Sequence, residues 1–246
     1  MSEQLLCYEH PLNERMRAAL RFEFLFKEWA QLAEHATLRR PLIAVICDLL
    51  SLLSRPDTWS DMAKDLQHEL DHLQSLRERP GVDTGRLQDT LEDMQQAHLN
   101  LSRIDATRIR IPKLLLAVMQ RASVPGGLAP ADIPPYTYWL NQPPERQLRD
   151  IHEWTQGFET FSTALSFYLH VLRSKAHWDM TPLDQGQCTL QAHPKAQLLR
   201  VAMPPDAPWY PEISGGRQRM TIRLRGLDTA DNERALRQSS LQIALC

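Results

Sequence analysis

The residue types best suited to chemistry stand near the C-terminus, where four arginines fall within residues 217–225 with no acidic residue among them. They are Arg217, Arg219, Arg223 and Arg225, and Met220, Ile222 and Leu224 alternate with them. Successive side chains of a strand point to opposite faces, so one face would pack on a core and the other would carry guanidinium groups. Guanidinium groups bind carboxylates and phosphates, and like charges crowded on one face repel each other. The pattern therefore favours an anion-binding surface, with an ordinary solvated strand face as the alternative.

A second pattern, His68-Glu69-Leu70-Asp71-His72, has the spacing of a zinc-protease motif. In that motif two histidines one helical turn apart bind zinc, and the glutamate acts as general base. Here the charged Asp71 occupies a position that zinc-protease helices fill with an apolar residue. Ser75 and Glu78 stand where the extended motif has glycine and histidine. We therefore predict no metal site, and leave open whether His68 and His72 bind adventitious metal.

Other catalytic patterns are missing from the sequence. It contains no G-x-S-x-G nucleophile elbow, no phosphate-binding P-loop and no G-x-G-x-x-G after a strand. Glu9 and His10 are two polar residues beside a proline, with no third group within reach in the sequence. The sequence predicts a protein that is not an enzyme and that uses no cofactor.

The composition is ordinary for a globular protein, with 43% apolar and 24% charged residues in a chain of 246. The net charge of −2 argues against sequence-independent nucleic-acid binding, which usually requires a basic domain. A nucleic-acid-binding module that uses the arginine stretch alone remains the alternative. No signal peptide and no run of about 20 apolar residues is present, and the four scattered cysteines suit a reducing compartment. These features predict a cytoplasmic protein without membrane insertion.

Helical periodicity dominates the chain up to residue 176. The spacing of apolar residues predicts helices over 11–35 with Pro11 in the first turn, over 41–53, 57–79 and 111–123, over a segment that follows Asp83, and over 145–174. The helix over 41–53 is apolar nearly all round, which favours a central position in a bundle. The helices on either side of the turn at 80–83 should form a long antiparallel hairpin. The proline-rich segment 128–144 is predicted to be ordered loop or short helix.

From Trp178 onward, prolines and glycines separate short apolar runs. These runs predict antiparallel strands over 187–190, 198–203, 218–225 and 241–246, while 209–216 reads as a turn-rich approach to the arginine stretch. We therefore predict an α+β protein. A mainly α-helical bundle domain would cover 11–176, and a small C-terminal antiparallel β-domain would cover 177–246, joined by an N-terminal strand at 5–9.

Several segments resemble the ZapD family of bacterial cell-division proteins. The opening, Tyr8 to Arg17 followed by Leu20 to Phe24, carries the most specific likeness. Further segments similar to the family are Pro80 to Asp83, Val124 to Gly127, Tyr210 to Gly215 and Arg219 to Arg223. They stand in the family's order, and the resemblance extends along nearly the whole chain.

The resemblance implies a cytoplasmic homodimer recruited to the division ring at midcell. Proteins of this family bind the C-terminal tail of the tubulin-like protein FtsZ and cross-link its filaments into bundles, which supports Z-ring assembly and septum formation. The tail mixes acidic and apolar residues, so we expect the arginine face to pair its carboxylates and a neighbouring apolar groove to hold its apolar side chains. A dimer with two such sites would bridge filaments by bivalency.

The resemblance also implies which residues contact FtsZ. The basic positions tied to that binding fall on Arg21, Lys113, Arg219 and Arg223. Lys113 stands where we expect arginine, so the charge is kept and the bidentate fork is lost. Thr137 stands where some relatives have histidine. Weaker candidates, which the resemblance does not supply, are Arg17, Arg55 and Arg121, together with Arg217 and Arg225 from the strand pattern alone.

Overall fold

The structure is a computed structural model that describes residues 5–35, 38–54, 56–77, 84–103, 111–129, 131–191, 193–216, 218–238 and 240–246. Arg55, Arg217 and the predicted turn at 80–83 lie outside these residues. The chain divides into two compact units. We call Met1–Arg17 with His170–Cys246 the β unit, and Ala18–Leu169 the helical unit. The domain limits drawn from the sequence, 11–176 and 177–246, stay a prediction.

Helices fill most of the chain as far as residue 174, and strands follow. The helices are α1 (Glu14–Ala33), α2 (Arg39–Leu53), α3 (Pro56–Gln74), α4 (Thr84–Ser102), α5 (Lys113–Arg121), α6 (Pro134–Leu140), α7 (Pro144–Trp154), α8 (Phe158–Ser174) and α9 (Thr229–Leu236). The strands are β1 (Leu6–Pro11), β2 (His177–Pro182), β3 (Gln187–Leu190), β4 (Leu198–Met203), β5 (Trp209–Gly215), β6 (Met220–Gly226) and β7 (Ser240–Leu245). The predicted α+β class is confirmed. Among the described helices, none is long and apolar enough to cross a bilayer.

Aromatic side chains from α1 and α8 occupy the core of the helical unit. The ring of Phe161 lies 5.5 Å from that of Phe22 and 5.2 Å from that of Phe26, measured between centroids. Helix α2 contributes Leu42 and Ile46, both fully buried, as its nearly uniform apolar character predicted. Helices α3 and α4 pack against each other, as expected for the predicted hairpin.

Two helix predictions are wrong in their bounds. Pro11 does not open a helix, because it is the last residue of β1. Helix α1 begins at Glu14, and the side chain of Asn13 accepts a hydrogen bond from the Met16 N–H at 2.8 Å, which satisfies a free donor of the first turn. The helix predicted over 145–174 is two helices, α7 and α8. Gly157, with a φ of 88°, lies between them in a conformation that an α-helix does not contain.

The β unit contains two antiparallel sheets. The larger sheet has the order β1-β4-β7-β2, and the smaller has the order β3-β6-β5. Leu199 and Val201 of β4 belong to the same buried cluster as Met220, Ile222 and Leu224 of β6. The two sheets therefore share one core between their inner faces, and β6 is the central strand of the smaller sheet.

Three elements of the β unit escape the sequence prediction: β2, β5 and α9. Strand β5 contains Pro211 and ends at Gly215, and these two residues led to the prediction of a turn. It lies at an edge of the smaller sheet, where a residue without an N–H is tolerated. Helix α9 has eight residues, too few for a clear helical period.

Candidate functional site

Strand β6 presents its residues alternately to two faces, as predicted. Met220, Ile222 and Leu224 are at most 2% exposed, whereas Arg223 is exposed and Arg225 is half-buried. The register places the arginine side chains on the outer face of the three-stranded sheet. We call this outer face the arginine face. Its residues are Gln187 and Thr189 of β3, Thr221, Arg223 and Arg225 of β6, and Tyr210, Glu212 and Ser214 of β5. We assign Arg219 to the same face because it directly precedes β6 and continues the alternation of the strand.

Arg225 is paired within the protein. Its Nε donates a hydrogen bond to Oε2 of Glu212 at 3.1 Å, and the two side chains are 43% and 54% exposed. The stretch 217–225 itself contains no acidic residue, but in the folded sheet β5 brings Glu212 beside its arginines. Glu212 therefore neutralises part of the positive charge at the Arg225 end.

Arg223 has a neutral partner. Its Nε and Nη2 donate to Oε1 of Gln187, which lies directly opposite in the register, at 3.4 and 3.2 Å. Throughout the described part of the chain, no carboxylate pairs with Arg223. The amide oxygen of Gln187 thus orients the guanidinium without cancelling its charge, which leaves it suited to bind an external carboxylate.

Arg219 stands in the tight reversal between β5 and β6. Its carbonyl accepts a hydrogen bond from the N–H of Gly216 at 3.1 Å. Gly215 has a φ of 110°, and a Cβ added there would lie 2.3 Å from the Arg219 carbonyl oxygen. Only glycine allows this approach, so Gly215 determines where the Arg219 backbone lies. The Arg219 side chain is exposed and makes no hydrogen bond or ion pair with any described residue.

A pocket of about 230 Å³ adjoins the arginine face. Its walls come from three elements: Arg223 and Arg225 of β6, Gln185 and Gln187 at the start of β3, and Asn232 and Leu236 of α9. Leu236 is 54% exposed. The pocket therefore places an apolar surface next to two guanidinium groups.

The remaining basic candidates lie on helices. Nε of Arg17 pairs with Oε1 of Glu14 at 3.0 Å on α1, which offsets its charge. Arg21 on α1, and Lys113 and Arg121 on α5, are exposed and form no ion pair within the described ranges. Thr137 lies on α6, and its hydroxyl donates to the Ile133 carbonyl at 3.4 Å. The fold thus gathers Arg219, Arg223 and Arg225 on one face, and Arg21, Lys113 and Arg121 belong to the helical unit.

The residues of the face and pocket that the sequence prediction missed include Gln187, Tyr210, Glu212 and Leu236. Tyr210 lies opposite Arg225, and Glu212 lies opposite Arg223. A signal for two of them was present, because Tyr210, Glu212 and Ser214 alternate with Pro211 and Ile213 in a period of two.

The four cysteine thiols and the two histidines of the zinc-protease spacing are poorly placed to act as nucleophiles or metal ligands. Burial raises the pKa of the thiols of Cys7, Cys188 and Cys246, and raises that of Cys47 to about 12. These thiols are therefore protonated at neutral pH. His68 and His72 are exposed on α3, and the described part of the chain holds no group of three or more residues arranged to bind a metal ion.

Comparison with known proteins identifies the family. A sequence model of the ZapD family, described as a cell division protein, matches residues 20–223. The cell division protein ZapD of Klebsiella pneumoniae subsp. pneumoniae is 33% identical, with 90% of this chain and 91% of the relative covered. The ZapD proteins of Enterobacter sp. and Methylococcus capsulatus are each 32% identical, and both alignments cover 100% of this chain. They cover 100% of the Enterobacter protein and 99% of the Methylococcus protein. The chain therefore belongs to the ZapD family of cell division proteins.

Proposed function

We propose that this protein is a non-enzymatic division factor that binds the C-terminal tail of FtsZ. As a homodimer in the cytoplasm at midcell, it cross-links FtsZ filaments into bundles and supports Z-ring assembly and septum formation. Family membership supplies the role in cell division. The observation that carries the choice of ligand is the arginine face, where Arg219 and Arg223 are exposed and have no acidic partner among the described residues.

The chemistry of this face suits an acidic peptide. A single exposed ion pair contributes only about 0.2 to 1 kcal/mol, so several must act together to hold a tail. Arg219 and Arg223 are the primary cations of the proposed site. Arg225 is a secondary cation because its guanidinium already forms an ion pair with Glu212. Such a site has modest affinity alone, and a dimer with two sites gains avidity for a filament that displays many tails.

Further cations are proposed, of which Arg21 and Lys113 come from the family resemblance and the others from the sequence alone. Arg21 and Lys113 are exposed, which is consistent with contact to a partner. Arg17 is a weaker candidate because of its pair with Glu14, and Arg121 is a weaker candidate at the end of α5. Arg55 and Arg217 stay candidates outside the described residues.

A charge-reversal experiment tests the proposal. The double variant Arg219→Glu/Arg223→Glu should stay dimeric and folded, and should fail to co-sediment with or bundle FtsZ filaments. The control Arg149→Glu/Lys195→Glu reverses two exposed cations that are not part of the arginine face and should behave like the wild type. Unchanged bundling by the first variant would refute the site.

The nucleic-acid alternative is less compatible with the charge of the chain. The net charge is −2, whereas sequence-independent nucleic-acid binding usually requires a basic domain. In a gel-shift assay at physiological salt, duplex DNA should not bind, and it should not displace the FtsZ tail. DNA that competes with the tail would favour the alternative.

A further inference from the structure

The pocket beside the arginine face has fixed walls. Gly186 has a φ of 69°, and a Cβ added there would lie 2.7 Å from the Ala235 carbonyl oxygen, so this turn packs directly on α9. The Gly186 carbonyl accepts a hydrogen bond from the Leu224 N–H at 2.9 Å. On the opposite wall, Oδ1 of Asn232 accepts from the Gly226 N–H at 3.0 Å and its Nδ2 donates to the Asp228 carbonyl at 2.8 Å. The pocket is therefore formed before any ligand arrives.

Its size limits what can enter. A volume of about 230 Å³ is below the roughly 300 to 1,000 Å³ of typical small-molecule sites. This volume suits one or two side chains of a peptide.

The lining joins two kinds of chemistry. Leu236 of α9 is 54% exposed, whereas its neighbour Ala235 is fully buried. Leu236 thus offers apolar surface at the pocket, and Arg223, held by neutral Gln187, offers an uncompensated positive charge beside it. Apolar surface beside a cation complements an apolar side chain that has a carboxylate close to it in sequence.

We propose that this pocket takes one aliphatic or aromatic side chain of the acidic peptide that binds the arginine face, while a neighbouring carboxylate of that peptide pairs with Arg223. The inference rests on the proposed tail binding and adds the place where an apolar residue of the tail is recognised. Charge therefore attracts the peptide, and the pocket selects the position of its apolar residue along β6.

The test uses a fluorescently labelled FtsZ C-terminal tail peptide titrated with the full-length protein. Leu236→Asp should weaken binding by about 10-fold or more, because it removes apolar surface and adds a charge that repels the peptide. Leu236→Ala should weaken it by about 3-fold. The matched control is Leu227→Asp, which changes a leucine that is 90% exposed and does not line the pocket, and its affinity should equal that of the wild type.

Peptide variants identify the residue that enters. When each apolar residue of the tail is replaced by serine, one replacement should weaken wild-type binding and have no further effect on Leu236→Asp, as expected for two groups in contact. Unchanged affinity of Leu236→Asp, with binding still lost in Arg219→Glu/Arg223→Glu, would overturn the pocket assignment and leave the proposed function intact. A tail peptide that fails to bind the wild-type protein would overturn both. Far-UV circular dichroism checks that each variant is folded.

Discussion

Arg225 donates a hydrogen bond to Glu212 at 3.1 Å, and this ion pair divides the arginine face into a neutralised end and a positive end. Arg223 lies opposite Glu212 in the register, yet its hydrogen bonds go to the neutral Gln187. Arg219 lies further along the same face, beyond Thr221. The positive end therefore consists of Arg219 and Arg223, which are the two arginines of this stretch that the family resemblance singles out.

Removal of the Glu212 charge should strengthen binding of an acidic tail. Glu212→Gln keeps the shape of the side chain, frees the Arg225 guanidinium and deletes a carboxylate that repels the peptide. Because exposed pairs contribute about 0.2 to 1 kcal/mol, the tail affinity should rise between about 1.5- and 5-fold at low salt. Fluorescence titration measures the change. A fall in affinity would show that the Arg225–Glu212 pair itself contributes to the site.

The reversal between β5 and β6 offers a test of how Arg219 is positioned. Gly215→Ala places a Cβ against the Arg219 carbonyl at a positive φ, so we expect a loss of about 1 to 3 kcal/mol in stability together with weaker tail binding. Gly216→Ala is the control, because its Cβ would meet no described atom within 4 Å. Thermal unfolding and tail titration should separate the two variants. Equal behaviour would contradict the role given to Gly215.

An ion cluster of Glu9, Arg173 and Arg200 should stabilise the folded β unit. Glu9 accepts hydrogen bonds from Arg173 and from Nε of Arg200, the latter at 3.0 Å, and its side chain is 17% exposed. Glu9→Ala removes a carboxylate that both partly buried guanidinium groups contact, which should cost about 2 to 4 kcal/mol. Glu14→Ala removes a carboxylate that is 86% exposed and should change stability by less than about 1 kcal/mol. Urea unfolding measures the stability of both variants. Similar losses of stability in Glu9→Ala and Glu14→Ala would argue against the role of the cluster.

His10 should make stability depend on pH. Burial lowers the pKa of His10 below its ordinary value of 6.5, and the positive charge of Arg17 lowers it further, while a hydrogen bond with the Gly215 backbone acts in the opposite direction. The unfolded chain therefore binds a proton at His10 more readily than the folded protein does. The contribution of neutral His10 is fully present above about pH 6.5 and is lost as the pH falls through the lowered pKa.

Urea unfolding at about pH 7.5 and about pH 5 tests this prediction. The wild type should lose more stability between the two conditions than His10→Gln, which has no proton to gain at that position. Equal losses would show that His10 does not carry the pH dependence.

The sequence predicted β6 well and its neighbours poorly, for a physical reason. Alternation of Met220, Ile222 and Leu224 with polar residues reports on one strand and its two faces. This alternation carries no information on which strand lies beside β6, so the pairing of Glu212 with Arg225 could not be predicted from the sequence. Pro211 hid β5, because proline is read as a turn although an edge strand accepts it.

In the helical part, too, local patterns predicted which residues are helical but not where each helix ends. The apolar period that runs from Ile151 through Phe158 and Phe161 does not register the break at Gly157, because a glycine inside a helical pattern can be tolerated or can end the helix. Pro11 is compatible both with the first turn of a helix and with the end of an edge strand. Residues 6–11 form a strand because β1 pairs with β4, which is distant in the sequence.

The most direct test is a titration of the isotope-labelled protein with the isolated FtsZ tail peptide, followed residue by residue by NMR. We predict saturable shift changes centred on Arg219 to Arg225, Gln187 and Leu236. The affinity should weaken as salt is raised, because exposed charges are screened. The Arg219→Glu/Arg223→Glu variant should show no saturation. Tail binding of equal strength by that variant, or shift changes that leave the arginine face untouched, would contradict the account.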